Sequence, residues 1–273
     1  MYYKDIDFEK KWHEYIESKE GYSKERAFDD EVERLFFKKL SHKYDDKPTL
    51  YDYSKEVFDF IDKLIEKGKN LIEIGAGTGK FTIPLSKKCK VVIANDFSRD
   101  MLDMLEEKIR GHNITNIKTI QGKWEDVNFE CSDYILSVNS LYRIWNIKDA
   151  LNKMNKLAKE KVIIVRTIQK PLFNDLYIAL GEKDRTCPDY IYIPNILHSL
   201  NICADIKFID VENEIEFDSI EDIYLKIKAE LNKNINFVEV VDKYIDNVIE
   251  RRENKYIFKH KTKVVIIYWN SIN

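Results

Sequence analysis

Glu73-Ile-Gly75-Ala76-Gly77-Thr78-Gly79 sets an acid two residues ahead of three glycines at alternate positions. Asn70 to Ile74 is apolar and β-prone, so it reads as a buried strand. A segment with helical spacing follows the glycines. Glycine lets the backbone turn sharply and lets another molecule approach the main chain. The free N–H groups of the next helix would face that molecule. The spacing is not the dinucleotide fingerprint G-x-G-x-x-G/A, because its third small position falls on Lys80. A second chemical signal stands at Asp96, which closes the strand Val91 to Ala94, about 20 residues beyond the glycines, where nucleotide-binding α/β folds place an acid for the ribose hydroxyls. A carboxylate accepts from both hydroxyls at once. The alternatives are a glycine turn without a ligand and an Asp that caps the next helix, although Ser98 is the better cap.

Glu-Ile-Gly-Ala-Gly-Thr-Gly resembles motif I of the class I S-adenosylmethionine-dependent methyltransferases. The resemblance implies S-adenosylmethionine as cofactor, held by Glu73, Gly75, Ala76, Gly77, Thr78, Gly79 and Asp96, with Phe97 and Met101 flanking the adenine. Phe37-Lys-Lys-Leu-Ser41-His-Lys-Tyr44-Asp45 is similar to the W-x-x-x-A-x-x-Y-D segment that precedes motif I in many small-molecule members, which implies that Tyr44 reaches the methionine end. In the family the corner at Gln121-Gly-Lys123-Trp124-Glu125-Asp126 holds the adenine. Lys123 stands where an acid is usual, Glu125 or Asp126 can supply the acceptor, and Trp124 either stacks on the ring or packs in the core. Asn139 leaves the fourth strand beside them.

Methyl transfer from a sulfonium needs donor and acceptor held in line more than it needs a catalytic signature. The exit of the fourth strand, Val138-Asn139-Ser140-Leu141, is not the Asn/Asp-Pro-Pro-Tyr motif of adenine and glutamine N-methyltransferases. The expected acceptor is therefore an O or N atom of a small molecule. A protein or RNA acceptor, or a non-catalytic nucleoside-binding module, is the alternative. Tyr142, Arg143 and Arg166 lie at the ends of strands four and five and are expected to face the acceptor, Arg166 suiting an acidic one. The blander account gives both arginines surface acids and packs Tyr142 in the core.

The elements that must position these residues follow from periodicity. Ile117–Ile120, Asp133–Val138 and Val162–Val165 read as further strands, with Met101–Arg110 and Lys148–Lys159 as helices between strands. That rhythm argues a doubly wound, mostly parallel sheet with helices on both faces, in which ligands sit beyond the C-terminal strand ends. Seven strands are expected, with an antiparallel last strand at Lys263–Trp269. Residues 1–67 read as a helical N-terminal cap, with one helix through Phe28, Val32, Leu35 and Phe36. The methyltransferase domain then spans 68–273, with a helical insertion at about 219–252 before the last strand. That insertion and the cap are expected to close over the acceptor.

The chain has 273 residues and a net charge of −3, which favours no polyanionic partner, so no nucleic acid is expected. No run of about 18 apolar residues marks a membrane span, and the N-terminus lacks the order of a signal peptide. Cys89, Cys131, Cys187 and Cys203 have no metal-binding or redox spacing, so no metal is expected and a reducing cytoplasm fits best. Nothing in the sequence signals an oligomeric state.

Overall fold

β1 (Asn70–Ile74) lies at the centre of the sheet, paired in parallel with β2 (Val91–Asp96) on one side and β4 (Ser132–Val138) on the other. The computed structural model describes residues 6–41, 54–168, 172–184, 186–231 and 238–272. With β3 (Ile117–Gln121), β5 (Ala158–Thr167), β6 (Asp205–Phe217) and β8 (Lys255–Asn270), the strand order is β3-β2-β1-β4-β5-β8-β6. β8 is antiparallel to both of its neighbours, β5 and β6. The order reverses between β1 and β4, so the crevice at their C-terminal ends is the expected ligand site. An eighth strand, β7 (Ile249–Arg252), pairs with the first residues of β8 as a short hairpin.

The period-two pattern of the strands divides the core. Ile72, Ile135, Val162, Ile164, Val265 and Ile267 face one side, where α1 (Phe8–Glu17), α7 (Ile147–Leu157) and α9 (Asp189–Ser199) cover them. Leu71, Leu136, Ile163, Val165, Val264 and Ile266 face the other, under α4 (Ser54–Leu64) and α5 (Thr82–Ser86). Val57 and Ile61 of α4 are completely buried there, so α4 is a sheet-covering helix. α6 (Arg99–Gly111) packs Leu102 and Leu105 on Ala76 and Ala94 behind the glycine loop.

Two expectations about the elements are corrected. The single helix through Phe28 and Val32 is two, α2 (Gly21–Phe28) and α3 (Asp30–Ser41). Asp29 between them is extended, and its Oδ1 accepts from the amides of Glu31 and Val32 at 2.8 and 3.1 Å. A short acid that can bond its own backbone ends one helix and starts the next. Among the described residues, none of the helical insertion, α10 (Ile220–Leu231) and α11 (Val238–Val248), lines the cavity at the strand ends. β6 and β8 run on as a pair beyond the last β5 partner, Thr167↔Val264. Ile223, Ile227 and Val241 pack on that extension and on α8 (Asn174–Ala179), around Phe173, Tyr177 and Phe258. The insertion thus buries its apolar faces against the extension of β6 and β8, the second of which begins at Lys255, ahead of the Lys263 expected from the sequence.

Candidate active site

The glycine loop is in the left-handed region at Gly75, Gly77 and Gly79, with φ of 70°, 55° and 89°. A side chain at Gly75 would overlap Ser140 Cβ, and one at Gly79 would overlap Leu105 of α6. These two glycines are demanded by the loop's own packing. At Gly77 an added Cβ would meet only Met101 Cε, at 3.4 Å, and both residues line the cavity above the loop. Close approach of a ligand therefore concerns Gly77.

The amides of Gly75, Ala76, Gly77 and Gly79 are all engaged within the protein. Those of Gly75 and Ala76 donate to Asn95 O at 2.8 and 3.0 Å, and that of Gly79 to Ala76 O at 3.0 Å. The amide of Gly77 donates to Asp96 Oδ2 at 2.8 Å. The loop is folded back onto the end of β2, and a buried donor must find such a partner.

Asp96 is 8% exposed and lines the cavity. Burial pushes its carboxyl up, while the amides of Ser98, Gly77 and Phe97 work in the opposite direction. Its Oδ1 accepts from the amide of Ser98 at 2.9 Å. A carboxylate has about four acceptor positions, so lone pairs remain for ligand hydroxyls. Ser98 is the N-cap residue of α6 by position, yet its hydroxyl makes no cap bond and is buried without a partner. The turn closed by Asp96 has taken its place.

Glu73, Ala76, Thr78 and Gly79 support the loop from behind and are absent from the cavity wall. Glu73 is 2% exposed and accepts from Thr82 Oγ1 at 2.5 Å. Burial pushes its carboxyl up to about 8, and the nearby Asp96 charge adds to this, so it is mostly protonated at neutral pH.

The cavity measures about 550 Å³. Phe97, Met101, Lys123 and Glu125 line it on the β2 and β3 side, and Asn139, Ser140, Tyr142 and Arg143 on the β4 side. Ile16, Ala27, Phe28, Asp30 and Phe37 form its roof. Phe37 packs edge-on against Phe97, with ring centroids 6.2 Å apart. Tyr44 lies outside the described residues. Trp124 also borders the cavity, but it is 3% exposed, and its ring is stacked on Phe129 with centroids 5.1 Å apart. Its Nε1 donates to Ala150 O at 3.3 Å. The packing alternative for Trp124 is the one realised, because burying so large an apolar ring outweighs leaving it open.

Asn139 has a φ of 53°. Its side chain ties the exit of β4 to the end of β5, accepting from the amide of Thr167 at 2.8 Å and donating to Thr167 Oγ1 at 3.0 Å. Lys123 and Arg143 both pair with Asp30 of α3, the second at 2.8 Å. The Tyr142 hydroxyl donates to Glu33 of α3.

Arg166 is a correction. It is 2% exposed, lies outside the cavity wall, and its Nε donates to Asp189 Oδ2 at 2.5 Å. Asp189, in the first turn of α9, is wholly buried. A guanidinium taken out of water needs a counter-charge, and Asp189 uses the fork that was expected to reach an acidic acceptor.

Asp30 of the roof and Glu33 behind it were not legible as site residues. Acids in the first turn of a helix read as ordinary partners of its dipole. Only the long-range fold shows them meeting Lys123, Arg143 and Tyr142.

Residues 71–161 match a family model described as a methyltransferase domain. The chain is 27% identical over 214 residues to an uncharacterized protein of Haemophilus influenzae, covering 76% of this chain and 78% of that one. It is 27% identical over 202 residues to a probable ribosomal RNA small subunit methyltransferase A of Methanosphaera stadtmanae, covering 73% of this chain and 66% of that one. To a demethylmenaquinone methyltransferase of Staphylococcus aureus it is 29% identical over 167 residues, covering 56% and 67%. The fold is similar to the crystal structure of a SAM-dependent methyltransferase from Aquifex aeolicus, with a TM-score of 0.51, 14% identity and coverage of 88% and 98%. No described helix is long and apolar enough to cross a membrane. This strand order, and a glycine loop tied to an acid at the switch point, frame a stretch that matches the methyltransferase domain family over residues 71–161, in a fold similar to that of a SAM-dependent methyltransferase.

Proposed function

We propose that the chain methylates an oxygen or nitrogen of a small-molecule acceptor bound under α2 and α3, in the cytoplasm. The observation that carries this reading is the roof. Phe28, Asp30 and Phe37 stand over the same cavity whose floor is Gly75, Gly77 and Asp96. About 550 Å³ must then hold cofactor and acceptor together, within the range of small-molecule pockets, roughly 300–1,000 Å³.

Asp96 would accept from the ribose hydroxyls, Gly77 would face the cofactor's backbone, and Phe97 and Met101 would flank the adenine. Glu125 supplies an acceptor for the adenine amino group at the position where Lys123 is engaged with Asp30. Bound S-adenosylmethionine supplies an electrophilic methyl group on a sulfonium. The chain's own task is to orient the acceptor and exclude water, which the roof helices do. Tyr142 and Arg143 stand on the β4 side of the same cavity, which suits an acceptor-facing role for them.

An RNA acceptor, as the name of the Methanosphaera relative has it, fits the surface less well. The lysines along β8 face acids instead of forming a bare basic strip: Lys261 pairs with Glu212 at 3.1 Å, and Lys255 and Lys263 pair with Asp218 and Asp210. Neutralised cations release few counterions on meeting a phosphate backbone. All four cysteines are free thiols, in keeping with a reducing compartment.

Isothermal titration with S-adenosylmethionine, S-adenosylhomocysteine and NAD, followed by methyl-³H transfer to metabolite extract, RNA and cell protein, tests the reading. Binding of the first two and label in small metabolites are expected. Label confined to RNA or protein would overturn the acceptor class, and binding of NAD alone would overturn the cofactor.

A further inference from the structure

Tyr142 follows β4 and lines the cavity, and its hydroxyl donates to Glu33 Oε1 in the roof. Glu33 is completely buried and sits behind the cavity wall. Arg26 of α2 grips the same carboxylate, Nε to Oε2 at 2.6 Å and Nη2 to Oε1 at 3.2 Å. The Arg26 guanidinium in turn lies 3.3 Å from the centroid of the Phe36 ring, which fixes its position. A guanidinium directs its N–H groups at both carboxylate oxygens, which accept them and leave Glu33 Oε1 as the acceptor for the phenol.

The consequence falls on the phenol. A tyrosine hydroxyl has one proton and two lone pairs. Its proton is committed to Glu33, so what Tyr142 can offer the cavity is acceptor capacity alone. Beside it, Lys123 and Arg143 Nη2 give their donors to Asp30, while Arg143 Nε is buried without a partner, so the acceptor-only preference is that of the Tyr142 oxygen itself. A ligand group that approaches Tyr142 satisfies it by donating a proton, and a bare carboxylate meets lone pairs facing lone pairs.

Resting on the methyltransferase reading above, we propose that Tyr142, oriented by Glu33 and Arg26, selects acceptors that present an O–H or N–H at the methyl-accepting end, namely hydroxyls, amines or amides, over carboxylates and fully substituted nitrogens. Arg26 and Glu33 are positioning residues, acting through Tyr142. The charged groups facing the phenol are Glu33 from α3, Arg26 from α2, Arg143 from its own loop, and Lys19 between α1 and α2, whose ammonium lies 5.6 Å from the ring centroid. Burial pushes the phenol's pKa up and Glu33 pushes it further, against Arg26 and Arg143. The proton therefore stays on the oxygen throughout the neutral range, and the selection holds there.

Fluorotyrosine incorporated into the whole protein gives the test, with Tyr142→Phe identifying the ¹⁹F signal of Tyr142. The signal is expected to move in Glu33→Gln and to resist alkaline titration beyond the pH at which exposed tyrosines ionise. Phenol, a hydroxyl probe, is expected to shift it at severalfold lower concentration than anisole or benzoate. A signal that titrates with the exposed tyrosines, or that benzoate or anisole shifts as readily as phenol, would overturn the proposal, and both measurements need only the parent chain and the Tyr142→Phe assignment if Glu33→Gln fails to fold. Calorimetry with S-adenosylmethionine on the same samples separates the two levels. Absent cofactor binding removes the methyltransferase reading and the proposal with it, whereas intact binding with the wrong ¹⁹F response removes the proposal alone.

Discussion

The amide of Gly77 and the carboxylate of Asp96 are joined at 2.8 Å, which ties the glycine loop after β1 to the last residue of β2. One side chain thus shapes the loop and faces the cavity. Asp96→Ala should cost cofactor affinity twice, through the ribose contacts and through a loosened Gly77. A charge-assisted hydrogen bond contributes about 1.5–3 kcal/mol, so a loss of at least about tenfold in affinity for S-adenosylmethionine is expected. Calorimetry on the folded variant checks it, and unchanged affinity would remove Asp96 from the cofactor site.

Gly75 and Ser140 make a second prediction, this time about stability. A methyl group on Gly75 would occupy the space of Ser140 Cβ, and the φ of 70° adds backbone strain. Gly75→Ala should destabilise by roughly 2–6 kcal/mol, summing about 1–3 for overpacking and about 1–3 for the left-handed backbone. Ser140→Gly in the same chain should recover only the steric part, because φ is unaltered. Ser140 also donates to Ile74 O at 2.8 Å, so the single Ser140→Gly variant must be measured beside the double one. Urea unfolding of the three variants is the measurement, and full recovery in the double variant would show that the backbone carries no strain.

What could be read in the sequence was local. Apolar runs, three glycines and an acid at the end of the next strand lie within one supersecondary unit, and that unit gives away β1, β2 and the place of Asp96 at the end of β2. Residues that depend on distant partners were out of reach. Tyr142 and Glu33 are 109 positions apart, and nothing in the periodicity of α3 marks Glu33 as different from its acidic neighbours. Arg166 was misread for the same reason. Its position at a strand end points towards a site, while its partner Asp189 lies 23 residues on, in a stretch where the sequence pattern gave least guidance. Trp124 has the composition of a stacking residue, and only the fold shows Phe129 already against it.

Glu73 makes stability depend on pH in a defined direction. Burial pushes its folded carboxyl up to about 8, while an unfolded glutamate keeps its ordinary value of 4.5. Between those values the folded state holds a proton that the unfolded state has lost. The contribution of Glu73 is therefore fully present below about pH 4.5 and is lost as pH rises to about 8, with a slope of at most about 1.4 kcal/mol per pH unit. Glu73→Gln keeps an acceptor for Thr82 without the titrating proton. The stability of this variant relative to the parent should rise across that window and level off above it. Parallel curves from pH 5 to 9 in urea titrations would mean that Glu73 is ionised in the folded protein.

Arg166 and Asp189 give the last prediction, in which the structural and catalytic readings part. Both side chains are almost fully buried, at 2% and 1% exposure, and the pair lies outside the cavity wall. Removing one partner leaves an uncompensated charge in the core, so Arg166→Met should cost about 3–5 kcal/mol. The double change Arg166→Met with Asp189→Leu removes both charges and replaces them with apolar volume, which is often neutral or better, so much of that loss should return. Asp189 Oδ1 has no hydrogen-bond partner in the structure, which makes its desolvation less well compensated and strengthens the expectation of recovery. Binding of S-adenosylmethionine by the double variant should stay within a few-fold of the parent, because neither residue touches the cavity. Unfolding curves and calorimetry on the same samples decide the matter: a stable double variant whose acceptor KM has risen sharply would return Arg166 to the acceptor site, and one that remains as unstable as Arg166→Met would show that the ion pair, beyond its mutual compensation, is needed for the packing of α9 on β5.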